Sequence, residues 1–299
     1  MRCFCFFLLV CCAVAQPRYD LVLKGGHLVD AKNNISAVRD VAISRGRIAA
    51  VAANIPAADA RQSIDVSDLY VTPGLVDIHT HVFAASMSRE YLGENCVRPD
   101  GFTFRSGVTT VVDAGSSGWR NFGVFRDEII NKSKTRVFAM LNIVGSGMGG
   151  RPDVEQNTKD MEPERTAEVA RRNGDVVVGI KVAHYAGPEW IAVDRGVQAG
   201  ELAHIPVMVD FATFRPERPF QDLVLKHLRP GDIYTHTYLS AVPMLNDQGR
   251  VLPYLFEAKK RGIIFDVGHG GGSFSWRQAI PAVKQGFLPD SISTDLHTD

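Results

Sequence analysis

Short apolar, β-branched runs alternate with helical patterns through most of the chain, and this alternation constrains the fold more than any other feature. Eight such runs follow Pro73 at intervals of about 25 to 40 residues, the length that a strand, a helix and their connections need. We predict parallel strands at Leu75–His79, Thr109–Asp113, Val137–Ile143, Val176–Lys181, Pro206–Asp210, Asp232–His236, Ile263–Val267 and Ser291–Asp295. The helices predicted between them are Trp119–Asn131, Glu162–Asn173, Asp194–Ala203, Phe220–Leu228, Val251–Lys260 and Trp276–Gln285.

Eight evenly spaced strand–helix units favour an α/β fold of the TIM (β/α)8 barrel type. A doubly wound sheet is the alternative, but no glycine-rich phosphate fingerprint follows the first strand. Ahead of the barrel, short alternating segments between Tyr19 and Ile64 are punctuated by Gly-Gly and Asn-Asn, which predicts a small β unit. The predicted organisation is therefore a leader at 1–15, a β segment at 16–71 and a barrel at 72–299.

The first 15 residues have the pattern of a secretory signal peptide. Arg2 precedes an unbroken apolar run, and Ala-Val-Ala at 13–15 supplies a cleavage pattern of small residues. A short membrane anchor is the alternative, but the run falls well below the roughly 20 residues of a membrane-spanning helix. We therefore expect an exported protein, secreted or periplasmic. Because four of the five cysteines lie in this segment, the mature chain would keep only Cys96 and form no internal disulfide.

The overall composition excludes several classes of protein. Lys and Arg total 33, as do Asp and Glu, so the formal charge is zero and nothing attracts the chain to nucleic acid or to an anionic membrane. Hydrophobic residues make up 45% and charged residues 22%, which fits neither a disordered chain nor a polytopic membrane protein. We expect a small-molecule ligand, no nucleic acid and no membrane span.

A His-x-His pair ends the first predicted strand, in the segment GLVDIHTH at 74–81. Alternate residues of a strand point the same way, so His79 and His81 can present two imidazoles to one ion. Nine histidines produce this pattern by chance often enough to make it weak evidence by itself. Its position strengthens it, because TIM barrels hold their chemistry at the carboxyl ends of the strands.

Other predicted strands also end in ionisable residues. Lys181, Asp210, His236 and Asp295 end the fourth, fifth, sixth and eighth strands. Each alone can be a loop cap or a member of an ion pair. Charged side chains are rarely buried unless they are paired or bound to metal, so the set as a whole predicts a metal centre.

The chain resembles the amidohydrolase superfamily of metal-dependent hydrolases, most closely its dihydroorotase-like group of amidohydrolases and deacetylases. The resemblance runs from Tyr19 to Asp299 and is carried by VTPGLVDIHTHVF, GVTTVVDAGSSGWRNF, GIKVA, LRPGDIYTH, DVGHGGGSFSW and ISTDLH. It implies that the leading strands are part of a β-sandwich beside the barrel. Members usually continue with a last barrel helix and C-terminal strands, so we expect either a truncated chain or a partner that covers the exposed seam between the eighth and first strands.

The resemblance also implies a role for each residue of the set. His79 and His81 would bind the more buried of two metal ions, and His236 would bind the second. Lys181, carboxylated by carbon dioxide, would bridge the two ions. Asp295 would be both a ligand and the proton shuttle, and the implied ions are zinc, with manganese as an alternative.

Asp210 departs from the family pattern, because many members have a histidine at the end of the fifth strand. A carboxylate oxygen is a sound ligand for zinc or manganese, so Asp210 is a predicted metal ligand and a dinuclear site is favoured. A mononuclear site stays open as the alternative.

Substrate contacts are predicted around the mouth of the barrel. His269, in the glycine-rich loop after the seventh strand, is a candidate substrate or oxyanion contact, or else a solvent-bonded loop residue. His184 and Tyr185 follow Lys181 and either line the pocket or pack the loop. Arg215, with Arg218, can clamp a substrate carboxylate.

The function predicted from these features is that of an amidohydrolase or deacetylase. It would use a metal-activated hydroxide to cleave an amide or ester of a small acylated substrate and release an acyl group. A cyclic-amide hydrolase of the dihydroorotase or hydantoinase type is one alternative, and it requires a carboxylate clamp. A degenerate, non-catalytic binding protein is the other, and a homo-oligomer is left open.

Overall fold

The computed structural model describes residues 16–84, 96–148, 153–211 and 213–298. The chain divides between Pro73 and Gly74 into two compact units. The predicted signal peptide at 1–15 lies outside the described residues. Within the described residues, no helix has both the length and the apolar character to cross a membrane.

The N-terminal unit is a five-stranded sheet, as the alternating pattern predicts. Its strands are β1 (Tyr19–Asp30), β2 (Ile35–Ser44), β3 (Arg47–Ala52), β4 (Ala60–Asp65) and β5 (Tyr70–Val71). The order is β3-β2-β1-β4, and β5 pairs with β1. Antiparallel hairpins join the first three strands, while β4 and β5 run parallel to β1. The described residues of this unit form one sheet, so the two-layer sandwich stays a prediction.

The second unit contains a curled sheet of seven parallel strands in strict chain order. They are β6 (Leu75–Thr80), β7 (Val108–Gly118), β8 (Arg136–Asn142), β9 (Val177–Ala183), β10 (Val207–Asp210), β11 (Ile233–Tyr234) and β12 (Ile264–Phe265). Each strand pairs with the next strand along the chain, which is the order of a barrel wall. Seven of the eight predicted barrel strands are thereby confirmed.

The predicted eighth strand forms bridges in place of a ladder. Segment 291–296 makes isolated parallel bridges to Asp266 at one edge of the sheet and to Thr80 at the other. The amide of Asp295 donates to the carbonyl of His79 at 2.7 Å. The backbone of Asp295 is left-handed, with φ of +54°, which ends the extended conformation there. The seam expected to be open is therefore closed by hydrogen bonds.

The outer side of this seam carries exposed apolar side chains. Ile292 is 75% exposed and Val76 is 56% exposed. An apolar groove of about 840 Å³ runs beside them, lined in part by Trp276, Ile280 and Ile292. Its lining is of the kind a further helix would cover, although the expected last helix stays a prediction.

Helices cover the outer face of the sheet elsewhere. They are α1 (Pro99–Phe102), α2 (Phe122–Phe125), α3 (Pro163–Arg172), α4 (Ile191–Ala203), α5 (Phe220–Asp222), α6 (Pro253–Arg261) and α7 (Trp276–Lys284). Each of the six predicted helices is found, and single π-helical turns extend α2 and α5. The sequence of helix α3 explains where it begins and ends. It starts on Pro163, buries Ala167 and Ala170, and ends on two arginines that complement its dipole.

Candidate metal centre

Six side chains that the sequence places at strand ends meet in one buried cluster. They are His79, His81, Lys181, Asp210, His236 and Asp295, and each is less than one-tenth exposed. Two groups of three have donor atoms within 4.8 Å of one another, a separation that one cation can bridge. The first donor group is His79, His81 and Asp295, and the second is His79, Asp210 and His236. The structure therefore brings all six predicted ligands together, and His79 belongs to both groups.

Asp295 belongs to the first donor group and reaches toward His236 of the second. Its Oδ1 is 3.3 Å from Nε2 of His79 and 3.2 Å from Nε2 of His81. Its Oδ2 is 3.8 Å from Nε2 of His236. Burial raises the pKa of the Asp295 carboxyl, but the hydrogen bond with His81 and the neighbouring positive charges outweigh burial and hold the net pKa below its usual value. The side chain is therefore a carboxylate at neutral pH.

Asp210 is the clearest sign that a cation belongs in the cluster. Its Oδ2 is 3.1 Å from Nε2 of His236 and 3.5 Å from Nζ of Lys181. Its Oδ1 is buried and has no hydrogen-bond partner among the described residues. A buried carboxylate oxygen without a partner is costly, and a bound cation supplies what is lacking. The donor set, imidazole nitrogens and carboxylate oxygens, suits a divalent metal ion.

Lys181 lies between the two donor groups and is fully buried. Its Nζ is 3.0 Å from Nε2 of His79 and 3.8 Å from the sulfur of Met208. Gly115 makes room for it, because a Cβ at that position would lie 2.6 Å from Cβ and Cγ of the lysine. Gly115 also has φ of +90°, a conformation that side-chain-bearing residues rarely adopt.

A hydroxyl relay fixes the imidazole of His79. The Thr235 hydroxyl donates to the Asp266 carboxylate at 2.8 Å, so it must accept from Nδ1 of His79, 2.9 Å away. Nε2 then carries the lone pair and faces the cluster. Burial, followed by the nearby Lys181 charge, lowers the pKa of His79 well below its usual value. His79 is therefore neutral, the form that binds metal.

The other two imidazoles are oriented in the same way. Nδ1 of His81 lies 3.0 Å from the Ser116 hydroxyl, and Asp113 anchors Ser116 by accepting from its amide at 2.8 Å. Nδ1 of His236 donates to the carbonyl of Gly268 at 2.5 Å. All three histidines thus direct Nε2 at the cluster, an orientation that partners behind metal-ligating histidines commonly impose.

Solved structures of known enzymes share this fold. An adenine deaminase superposes with a TM-score of 0.78 at 28% identity, covering 93% of this chain and 73% of that one. A dihydroorotase gives a TM-score of 0.74 at 30% identity, with the same coverage. No family model matches the chain.

Curated relatives extend the likeness. A deacetylase of Agrobacterium fabrum is 36% identical over 265 residues, or 84% of this chain. A deacetylase of Enterococcus faecalis is 31% identical over 291 residues, which are 93% of this chain and 73% of the relative. The chain belongs to the amidohydrolase superfamily. It spans 61% of the length of the Agrobacterium protein. Members of the superfamily use divalent metals, in agreement with the donor groups of this chain.

The residues behind the candidate ligands were not predicted from the sequence. Asp113 and Asp266 carry the same signal that identified Asp210, an acidic residue in an otherwise apolar strand. Thr235 and Ser116 gave no signal, because hydroxyl residues are common in strands and only the fold brings these two against imidazoles.

Three of the predicted substrate contacts are Tyr185, Arg215 and His269. The Tyr185 hydroxyl donates to Glu189 at 2.7 Å, and Nε of Arg215 donates to the carbonyl of Ala186 at 2.5 Å. His269 is exposed in the loop after β12. The roles of Tyr185, Arg215 and His269 in binding substrate stay predictions.

His184, the fourth predicted substrate contact, lies nearer to the centre. Its Nδ1 is 2.7 Å from Oε2 of the buried Glu155, and its Nε2 is 3.4 Å from Oδ2 of Asp210. Burial by itself lowers the pKa of His184, but Asp210 and Glu155 outweigh it and raise the net pKa well above the usual value. Glu155 is not predictable from the sequence pattern, because it is distant in the sequence from both His184 and Asp210.

Proposed function

We propose that this chain is the catalytic part of a deacetylase that hydrolyses an amide or ester of a small acylated molecule. The observation that carries the proposal is the buried cluster of six donors, in which Asp210 keeps an unpartnered carboxylate oxygen. The deacetylase names of the two relatives support the same activity.

Two divalent cations fit the donors, and we propose zinc, with manganese as the alternative. His79, His81 and Asp295 would hold one, while Asp210 and His236 would hold the other. When bound, such cations acidify water and polarise a substrate carbonyl.

Lys181 is proposed to bridge these two cations as a carbamate. Its neutral amine adds to the carbon of carbon dioxide, forming an N–C bond and releasing one proton. The product is an anion with two ligand oxygens. Its place supports this role, because Nζ lies between His79 at 3.0 Å and Asp210 at 3.5 Å. Gly115 leaves the space beside the lysine stem.

Asp295 is proposed to move the proton of the reaction. Its carboxylate takes a proton from the attacking water and then delivers it to the leaving nitrogen or oxygen. His81, His236 and Lys181 hold the pKa of the Asp295 carboxyl below its usual value, so the group is ionised and able to accept a proton.

A second candidate function is hydrolysis of a cyclic amide that carries a carboxylate, and Arg218 favours it. Its guanidinium is buried, with the carbon Cζ 4.0 Å from the centre of the Phe211 ring. Nη2 donates to the carbonyl of Tyr185 at 2.9 Å. Nε and Nη1 have no hydrogen-bond partner in the described part of the chain. A buried guanidinium with unused donors is suited to an anionic group of a substrate.

Metal analysis combined with a substrate panel tests the proposal. We expect about two cations per chain, and turnover of N-acetyl or O-acetyl compounds after zinc or manganese is added. Preferential turnover of a cyclic amide bearing a carboxylate would favour the second candidate. Fewer than about one cation per chain, with no turnover of any compound, would refute both functions.

Export is a separate proposal, and it rests on the apolar segment at 4–15 and the small residues before Gln16. N-terminal sequencing of protein recovered from its natural host tests it. A mature chain that starts near Gln16 is expected, whereas a chain that retains residues 1–15 contradicts export by a cleaved signal.

A further inference from the structure

A histidine just beyond the last bridge of the barrel lies beside the second oxygen of Asp295. Nε2 of His297 is 3.8 Å from Oδ2, and its side chain is 25% exposed. We propose that His297 is a substrate contact that accepts a hydrogen bond from the nitrogen of a departing amine, and that it makes the chain prefer amides to esters. This inference rests on the proposed function and names which of its two substrate classes the site favours.

The two oxygens of Asp295 face different groups. Oδ1 is the oxygen that lies 3.3 Å from His79 and 3.2 Å from His81, within the first donor group. Oδ2 lies 3.8 Å from His236 and 3.8 Å from His297. Oδ2 is therefore the oxygen placed to exchange a proton with a substrate that approaches from the side of His297.

The segment that closes the barrel also fixes His297. Leu296 forms an isolated parallel bridge to Thr80, and its carbonyl accepts from the amide of His81 at 2.9 Å. His297 follows directly, and its ring centre lies 6.1 Å from that of His81, edge to face at 65°. The contacts between the first strand and the last segment thus bring this imidazole to the metal centre.

Nε2 of His297 has the character of an acceptor. Nδ1 is 3.0 Å from the carbonyl of Thr298, and because a carbonyl cannot donate, Nδ1 carries the proton of the neutral ring. The lone pair is then on Nε2. The carboxylate of Asp295 also only accepts, so a group with two hydrogens placed between these atoms can bond to both.

Gly270 leaves room for such a group beside Asp295. A Cβ at position 270 would lie 2.6 Å from Oδ2, and the φ of this glycine is +43°. A side chain there would press on the carboxylate, so its absence leaves space next to Oδ2 at about the length of a hydrogen bond.

Amides and esters differ in the hydrogens carried by the leaving atom. As the C–N bond of a singly substituted amide breaks, its electron pair stays on nitrogen, which gains the proton from Asp295 and already holds one of its own. The amine thus has one N–H for Oδ2 and a second for Nε2 of His297. An ester oxygen gains only the delivered proton, so it has none left for His297.

An N-acetyl compound and its O-acetyl analogue of the same carbon skeleton test the inference. His297→Phe keeps a ring but removes both nitrogens. We expect it to lower kcat/KM for the N-acetyl compound by about 2- to 10-fold, the contribution of one hydrogen bond, and to leave the O-acetyl compound unchanged. In the natural chain, the amine product should inhibit more strongly than the alcohol product.

His204→Phe is the matched control and should leave both reactions unchanged. His204 is exposed and precedes β10, whereas Asp210 is the last residue of that strand. Dividing each variant's kcat/KM by that of the natural chain, for each compound separately, removes the intrinsic difference in reactivity between amides and esters.

Equal losses for the two compounds overturn the inference, because a His297 that only supports Asp295 would slow both reactions alike. Unchanged turnover of the N-acetyl compound in His297→Phe, or equal inhibition by amine and alcohol, also overturns it. If His297→Phe fails to fold, His297→Leu and the product inhibition of the natural chain decide. Turnover of neither compound by the natural chain is a distinct result, which refutes the proposed function and this inference with it.

Discussion

Replacing Thr235 with valine tests whether the relay behind His79 supports metal binding. Valine has nearly the shape of threonine but lacks the hydroxyl that accepts from His79 at 2.9 Å and donates to Asp266 at 2.8 Å. Asp266 keeps two other donors, Ser291 and Ser293, each at 2.5 Å. The main consequence therefore falls on Nδ1 of His79, which is fully buried and loses its acceptor.

The size of the effect follows from that lost acceptor. A buried donor left without a partner costs about 1–3 kcal/mol. The imidazole can avoid this cost by moving its proton to Nε2, but that nitrogen is the one that faces the cluster. Either way the form of His79 that binds metal becomes less favourable by about 1–3 kcal/mol, which corresponds to a zinc affinity about 5- to 150-fold lower.

Zinc competition with a chromophoric chelator measures this affinity, and Thr235→Ser is the control because it retains the hydroxyl. We expect Thr235→Ser to bind zinc nearly as tightly as the natural chain and Thr235→Val to bind it more weakly. Urea unfolding of the metal-free proteins separates a loss of folding stability from a loss of affinity. Equal zinc affinity in the two variants would refute the role given to the relay.

Three further predictions concern separate residues. Lys181→Ala should abolish turnover and regain part of it when a short carboxylic acid is added; unchanged turnover removes Lys181 from the site. Gly115→Ala should lower the free energy of unfolding by about 1–3 kcal/mol, because the new methyl group meets the side chain of Lys181. Urea unfolding measures this change, and an unchanged midpoint contradicts it. Burial raises the pKa of Asp40, but Lys24 and two backbone amides outweigh it and lower the net pKa. Its stabilisation is therefore complete above the unfolded pKa of about 3.9 and is lost as pH falls through the lower folded value, so Asp40→Asn should flatten the acid decline of unfolding free energy.

The sequence predicted the ligands because they obey a local rule. Parallel strands present their carboxyl ends to one side of the sheet. An ionisable residue at the end of an apolar strand is therefore a candidate site residue even before the fold is known. His79, Lys181 and Asp210 were identified in this way. The rule fails for Glu155, which comes from a connecting segment and reaches the site only through the turn that holds His184. It also fails for the hydroxyl of Thr235, whose role depends on its neighbour across the barrel.

Strand lengths were predicted less well than strand positions. The predicted eighth strand makes only bridges, at Ser291 and Leu296, and Asp295 between them leaves the extended conformation where its carboxylate enters the cluster. The predicted sixth strand, Asp232–His236, shortens to Ile233–Tyr234 for a related reason, since His236 is also left-handed, with φ of +60°. Apolar patterning sets where a strand runs. Apolar patterning does not predict the left-handed residue at the end of a strand, where the backbone turns and the side chain enters the cluster.

Closure of the barrel and assembly of the metal centre depend on the same contacts. The buried carboxylate of Asp77 accepts from the amide of His79 at 3.2 Å, and from the amide and hydroxyl of Thr294 at 3.1 and 2.6 Å. One side chain thus ties the first strand to the last segment. The adjacent bond from the amide of Asp295 to the carbonyl of His79 both closes the seam and places the proposed proton shuttle beside its two imidazoles. Any change that opens the seam must therefore also withdraw Asp295 from the site, so the stability of this junction and the position of the shuttle cannot vary independently.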